Sequence, residues 1–152
     1  MSAAPVLVVA ADHPSLDGAL EAFVASLATD PCTTSRRRSM RHRAVREVAR
    51  PTDGFRLAAV EGDRVVGLAR VGADGDVVVV VAADRRGSGI GTVLIGEVVE
   101  RARRYGFGSL HLRRSRRSAR ADEVARRHGA VVVRRAGHLE IVLTGTPLDR
   151  AG

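Results

Sequence analysis

Apolar positions along this chain recur with two periods, and each change of period marks out an element. Val6 to Ala10 reads as a short strand. His13-Pro14-Ser15 starts a helix whose apolar face is Leu16, Leu20, Phe23, Val24 and Leu27. Thr33 or Thr34 can cap a second helix running to about Ala49, where Pro51 stops it. Phe55 to Val60 and Val65 to Val71 form a hairpin across Glu61-Gly62-Asp63. Ala73-Asp74-Gly75 then turns into Val77 to Val81, which has no polar side and suits a strand buried on both faces. From about Ser88 the positions Ile90, Val93, Leu94 and Val98 predict a helix to Arg104, ending near Gly106. Ser109 to Leu112 follows as a strand, and Arg120 to His128 as a helix closed by Gly129. Ala130 to Arg134 and Leu139 to Leu143 pair around Ala136-Gly137. With 152 residues, a single domain over 1–152 is expected, long enough for one core and too short for two.

The junction after the valines carries the chemistry. Gly87, Gly89 and Gly91 remove side chains where backbone N–H groups converge at a helix N-terminus. Exposed donors and the positive end of the helix dipole bind anions there. A P-loop would need Gly-Lys-Ser/Thr, and the chain contains no lysine. A dinucleotide fingerprint needs its third glycine one residue later and an acidic residue about 20 positions on. The stretch from His111 to Arg117 holds only His, Leu, Arg and Ser. What remains is Arg86-x-x-Gly89-x-Gly91, which alone is also compatible with an ordinary strand-to-helix turn.

That spacing after a valine-rich strand resembles the acetyl-CoA loop of the GNAT superfamily of N-acetyltransferases. The element order β-α-α-β-β-β-α-β-α-β-β is similar to that family's over essentially the whole chain. The resemblance implies an α/β (α+β) fold with a mixed, mostly antiparallel sheet and a central splayed parallel pair. It implies an acetyl-CoA-dependent N-acetyltransferase, with acetyl-CoA as co-substrate, no metal, and a protein lysine or small molecule as amine acceptor. Main-chain groups of Val79, Val80 and Val81 would bond the pantetheine arm, with an N–H near Val81 holding the oxyanion. Arg86, Gly87, Ser88, Gly89, Ile90, Gly91 and Thr92 match the diphosphate loop. The Arg86 side chain either adds charge there or is simply solvated.

Two family positions differ. Registering the family's Asn-x-x-Ala-x-x-Phe-Tyr on Gly129 places Ser118 at the asparagine, Ala121 at the alanine and Val124 at the phenylalanine. Ala125 then falls at the tyrosine that protonates the departing thiolate, and alanine donates no proton. Tyr105, the only tyrosine, ends the preceding helix and is expected to pack on the sheet edge. A thiol pKa near 8.5 makes thiolate a fair leaving group, so water or Ser118 could supply the proton. Asp76 matches the place where some relatives carry a glutamate base. Its other reading is a hairpin-turn carboxylate after Asp74-Gly75. The shape Asp76-x7-Asp84-x-Arg86-Gly87-x-Gly89 resembles the bacterial protein-lysine acetyltransferase branch.

Charge and the remaining residues add less. The formal net charge is +8, entirely through arginine, with clusters from Arg36-Arg37-Arg38 to Arg50 and from Arg113 to Arg120. Such stripes suit nucleic-acid phosphates, acidic proteins or coenzyme A. Aromatics are only 3% of residues, so base-stacking platforms are missing and nucleic acid is not the expected partner. Cys32 is the single cysteine, and no His/Cys/carboxylate group has metal spacing. His138 and Glu140 should face away from the core, His111 should lie on the sheet surface, and His128 should close a helix. No segment approaches a membrane span or a signal peptide, so a cytoplasmic protein, a homodimer allowed, is expected. A non-catalytic CoA-binding or regulatory module is the alternative that Ala125 keeps open.

Overall fold

The computed structural model describes residues 5–28, 44, 46–113 and 118–143. β1 (Val6–Ala10) leads through a 3-10 turn, Pro14–Leu16, into α1 (Asp17–Ala28). The His13 ring nitrogen accepts from the Ser15 backbone N–H and caps that turn, which fixes the start of the apolar stripe on α1. The expected cap of the second helix, and Cys32, lie outside the described residues. Residues 46–49 are helical, ahead of Pro51.

β2 (Phe55–Glu61) and β3 (Arg64–Val71) form the predicted hairpin, and β4 (Asp76–Val81) follows. α2 (Ile90–Arg104), β5 (Ser109–Arg113), α3 (Ser118–Arg127), β6 (Val131–Arg135) and β7 (His138–Val142) complete the order. Among the described residues, seven strands lie in one sheet, β1-β2-β3-β4-β5-β7-β6. Every neighbouring pair is antiparallel except β4 with β5. Two half-cores sandwich the sheet. On one face α2 and α3 cover Val77, Val81, Leu110, Leu139 and Ile141. On the other, Phe23 and Leu27 of α1 pack with Val48, Ala58, Val65 and Leu68.

The parallel pair is short. Only Asp76 with His111 and Val77 with Leu112 are in register, and the pairing stops there. This corrects the expectation that the valine strand is buried on both faces. Val77 and Val81 are buried, whereas Val78, Val79 and Val80 are half-exposed, because among the described residues no strand covers that edge. Alternation along the antiparallel β3–β4 ladder fixes which backbone groups face the opening. Gly72 N–H donates to Asp76 O, and Ala82 N–H donates to Val66 O. The bonded residues on β4 are therefore 76, 78, 80 and 82, and the N–H and C=O groups of Val79 and Val81 project into the gap. Val80, expected to share that contact, has its main-chain groups turned to β3.

Gly67 on β3 explains how α2 reaches this opening. A Cβ there would lie 2.9 Å from both Ile90 Cγ2 and Leu94 Cδ1. The bare glycine lets the first turn of α2 sit directly on the sheet opposite Val81. Gly67→Val is expected to lower stability by about 1–3 kcal/mol through overpacking. A denaturant melt would read this as a lower midpoint at unchanged slope.

Candidate active site

The loop between β4 and α2 is built to present backbone donors. Ala83–Arg85 form a 3-10 turn, Arg86 is extended, and Gly89 caps α2 in the left-handed region with φ 91°. Gly87 is also left-handed, with φ 80°. The helix begins at Ile90 rather than near Ser88, because two positive-φ residues precede it. Gly91 lies inside the first helical turn, and a Cβ there would only touch Val81 Cγ2 at 3.7 Å. Val93 N–H donates to Gly89 O, the first bond of the helix. Among the described residues, the N–H groups of Gly87, Gly89, Ile90, Gly91 and Thr92 meet no backbone acceptor, as a helix N-terminus requires. Ser88 differs. Its N–H donates to Arg85 O at 3.3 Å, and its hydroxyl donates to the same carbonyl. Its contribution is thus to shape the loop.

Two ion pairs hold this loop against the β2–β3 hairpin. Arg64 donates to both carboxylate oxygens of Asp84, each at 2.8 Å. Arg85 Nε donates to Glu61 at 3.1 and 3.3 Å, and its Nη2 to the same carboxylate. Sequence reasoning missed both pairs, since they join residues 20 and 24 positions apart with no local signature. The Arg85 guanidinium holds the Glu61 carboxyl below its ordinary value, and Arg64 does the same for Asp84. A carboxyl depressed in the fold contributes stability above its unfolded value and loses it as pH falls through the folded one. The clamp is therefore complete at neutral pH and lost in acid, below the ordinary values of 4.5 and 3.8. Asp84→Ala is expected to raise severalfold the KM for the diphosphate-bearing co-substrate that the loop's resemblance implies, with little change in melting temperature, because the pair is exposed. Steady-state kinetics beside a thermal melt check this.

Asp76 stands at the other end of β4, about 10 Å from Val79 at the usual strand rise. Its side chain shares the α1 face with Val78 and Val80, which pack against that half-core. Partial burial, then the charges of Asp74 and Glu47, push the Asp76 carboxyl above its ordinary value of 3.8. Arg113 and His111 pull it back down. The net rise suits a proton acceptor. Asp74, Asp76, His111, Arg113, Ala136, Gly137 and His138 line an open cleft of about 540 Å³ beside the splay. His111 and His138, read from the sequence as surface histidines, contact edge to face at 5.6 Å within it.

Other expected positions fall elsewhere. Ala125 is fully buried. Tyr105 is exposed and packs edge to face on Phe55 at 5.1 Å, at the far end of α2 from the loop. Ser118 is the first residue of α3. Arg86 is half-buried at the turn of the loop. Glu140 pairs with Arg135 at 3.1 Å on the sheet surface. His128 Nδ1 lies 2.9 Å from Glu100, joining α3 to α2. Among the described residues, no group of three or more His, Cys, Asp or Glu is placed to hold a metal. No helix among them is long and apolar enough to cross a membrane. Most of the arginine clusters lie outside the described residues.

Known proteins share this fold. The profile of the acetyltransferase (GNAT) family matches residues 21–130. A GNAT family acetyltransferase from Brucella melitensis, solved in complex with acetyl-CoA, superposes with a TM-score of 0.54 at 19% identity, covering 93% of this chain and 89% of that one. A ribosomal-protein-alanine N-acetyltransferase from the same organism gives 0.56 at 20% identity, over 89% and 96% of the two chains. A GNAT family acetyltransferase from Staphylococcus aureus gives 0.53 at 13% identity, over 92% and 100%. At these identities the likeness is one of fold. No curated protein matches.

Proposed function

The chain belongs to the acetyltransferase (GNAT) family, and from that premise we propose that it transfers an acetyl group from acetyl-CoA to a primary amine by direct attack. The observation that carries this reading is the loop itself. Among the described residues, the N–H groups of Gly87 and of residues 89–92 meet no backbone acceptor and gather at the start of α2, next to the open edge of β4 at Val79 and Val81. A diphosphate suits the first and an extended pantetheine arm the second, bonding Val79 and Val81 as an added strand would. Ser88 shapes the loop, and Arg86 and Ser118 keep the coenzyme-binding roles that the family pattern implies for them. The backbone of Val80 is turned away.

Asp76 serves as base on this reading. An acceptor ammonium gives one proton to the Asp76 carboxylate, directly or through one water, and the free amine attacks the thioester carbonyl. A main-chain N–H in the gap stabilises the oxyanion. Collapse breaks the C–S bond and leaves the C–N bond. The nitrogen sheds its second proton to water, and the coenzyme thiolate takes up one from water. Buried Ala125 supplies none, so the leaving group departs as thiolate, which its low pKa permits.

The second reading, a CoA-binding module without turnover, draws on that same alanine. Thioester loss measured across a panel of small amines and lysine peptides separates the two. Amine-dependent release of free coenzyme supports catalysis. Coenzyme binding with no release for any acceptor supports the module.

A further inference from the structure

Resting on the N-acetyltransferase reading, the cleft beside the splay also points to its acceptor. We propose that the acceptor is a small zwitterion, its ammonium seated at Asp74 and Asp76 and its carboxylate at Arg113 and His138. The cleft has two poles of opposite charge. Asp74 and Asp76 form the acidic wall, and the field of Glu47 reaches it from residues 46–49. The basic wall is Arg113 and His138, which stand opposite each other across β5 and β7.

Register sets the spacing between the poles. Asp76 pairs with His111, and Arg113 lies two residues farther along β5 on the same face. The Cα atoms of Asp76 and Arg113 are therefore about 8 Å apart, from a strand spacing of ~4.8 Å and a rise of ~3.3 Å per residue. Both side chains lie on the same face of the sheet and line the open cleft of about 540 Å³, which has room for a molecule of amino-acid size. Arg113 is exposed, and no described carboxylate lies within ion-pair distance of it, although its field is felt at Asp76. Its planar fork is suited to bidentate binding of a carboxylate. The His111 ring braces His138 from the side. An acceptor carrying only an amine would leave this basic wall without a partner. Lysine side chains and protein N-termini are acceptors of that kind.

Matched amines test this, each carboxylate being replaced by methyl. Glycine, β-alanine and γ-aminobutyrate are compared with ethylamine, propylamine and butylamine at saturating acetyl-CoA. At least one carboxylated member is expected to exceed its partner about tenfold or more in kcat/KM, chiefly through KM. Arg113→Gln is expected to bring that ratio close to 1. Because loss of Arg113 also alters Asp76, and does so for both members of a pair, the ratio is the informative quantity. Equal kcat/KM within every pair, or a preference that survives Arg113→Gln, overturns the proposal. If the protein binds coenzyme A but acetylates no amine, the catalytic reading fails by itself. Titration of the coenzyme complex with γ-aminobutyrate, followed by the ring signals of His111 and His138, then decides. Saturable shifts that butylamine does not produce support the zwitterion site, and unmoved signals overturn it.

Discussion

Asp76→Asn is expected to lower kcat about 100-fold or more while leaving acetyl-CoA affinity close to the native value. General bases contribute roughly 10²- to 10⁴-fold, and an amide cannot accept the ammonium proton. Asp76 lies at the opposite end of β4 from the phosphate loop, so coenzyme binding should not depend on it. The pH profile adds a second signature. In the native enzyme kcat/KM should fall in acid as the carboxylate takes up a proton, through a value above 3.8, the direction in which burial, Asp74 and Glu47 push it. The variant should lack that limb. Stability should move the opposite way. A carboxyl whose folded value is raised favours the native state while protonated, and that contribution is lost as pH rises through the folded value. At neutral pH the ionised Asp76 therefore works against folding, and Asp76→Asn should melt slightly higher than the native chain. A hairpin-turn carboxylate with no catalytic role would leave kcat untouched.

Gly89→Val is expected to weaken acetyl-CoA binding by about 30-fold or more, with kcat at saturation much less affected. Gly89 sits at φ 91°, where a β-branched residue is strained by about 1–3 kcal/mol. Nothing lies within 4 Å of a Cβ built there, so the fold has no steric objection to the side chain. The damage should fall on the direction of the N–H groups and on the space a diphosphate needs. Calorimetric titration of the variant with acetyl-CoA measures the loss. A melt under the same conditions separates it from general unfolding.

Much of the frame was legible because local rules and tertiary structure agree. β1 spans Val6–Ala10 as read, and the hairpin, α2, α3 and the last strand pair fall within a residue or two of their expected ends. Gly106, Gly129 and Gly137 punctuate the chain where left-handed residues are required. The valine run was legible as a strand but misread in its burial. Its neighbour leaves after two pairs, and nothing in five valines encodes that departure. Which of Val79, Val80 and Val81 faces the opening was likewise hidden, since main-chain direction depends on ladder register and not on side-chain type. Long-range charge was the least visible part. Arg64 with Asp84, Arg85 with Glu61, and the meeting of His111, Arg113 and His138 with Asp76 all arise from strand order. Arg103 is a similar case. It is buried between α2 and α3, donating to His128 O at 2.6 Å, although it sits in an arginine-rich helix end that reads as solvated.

The whole account turns on where a coenzyme would lie, and a crystal structure of the protein with coenzyme A answers that most directly. The expected complex has diphosphate oxygens within hydrogen-bond distance of the N–H groups of residues 87 and 89–92, and the pantetheine amides bonded to Val79 and Val81. Coenzyme bound on another face, or a diphosphate held by arginine side chains away from this loop, would contradict it.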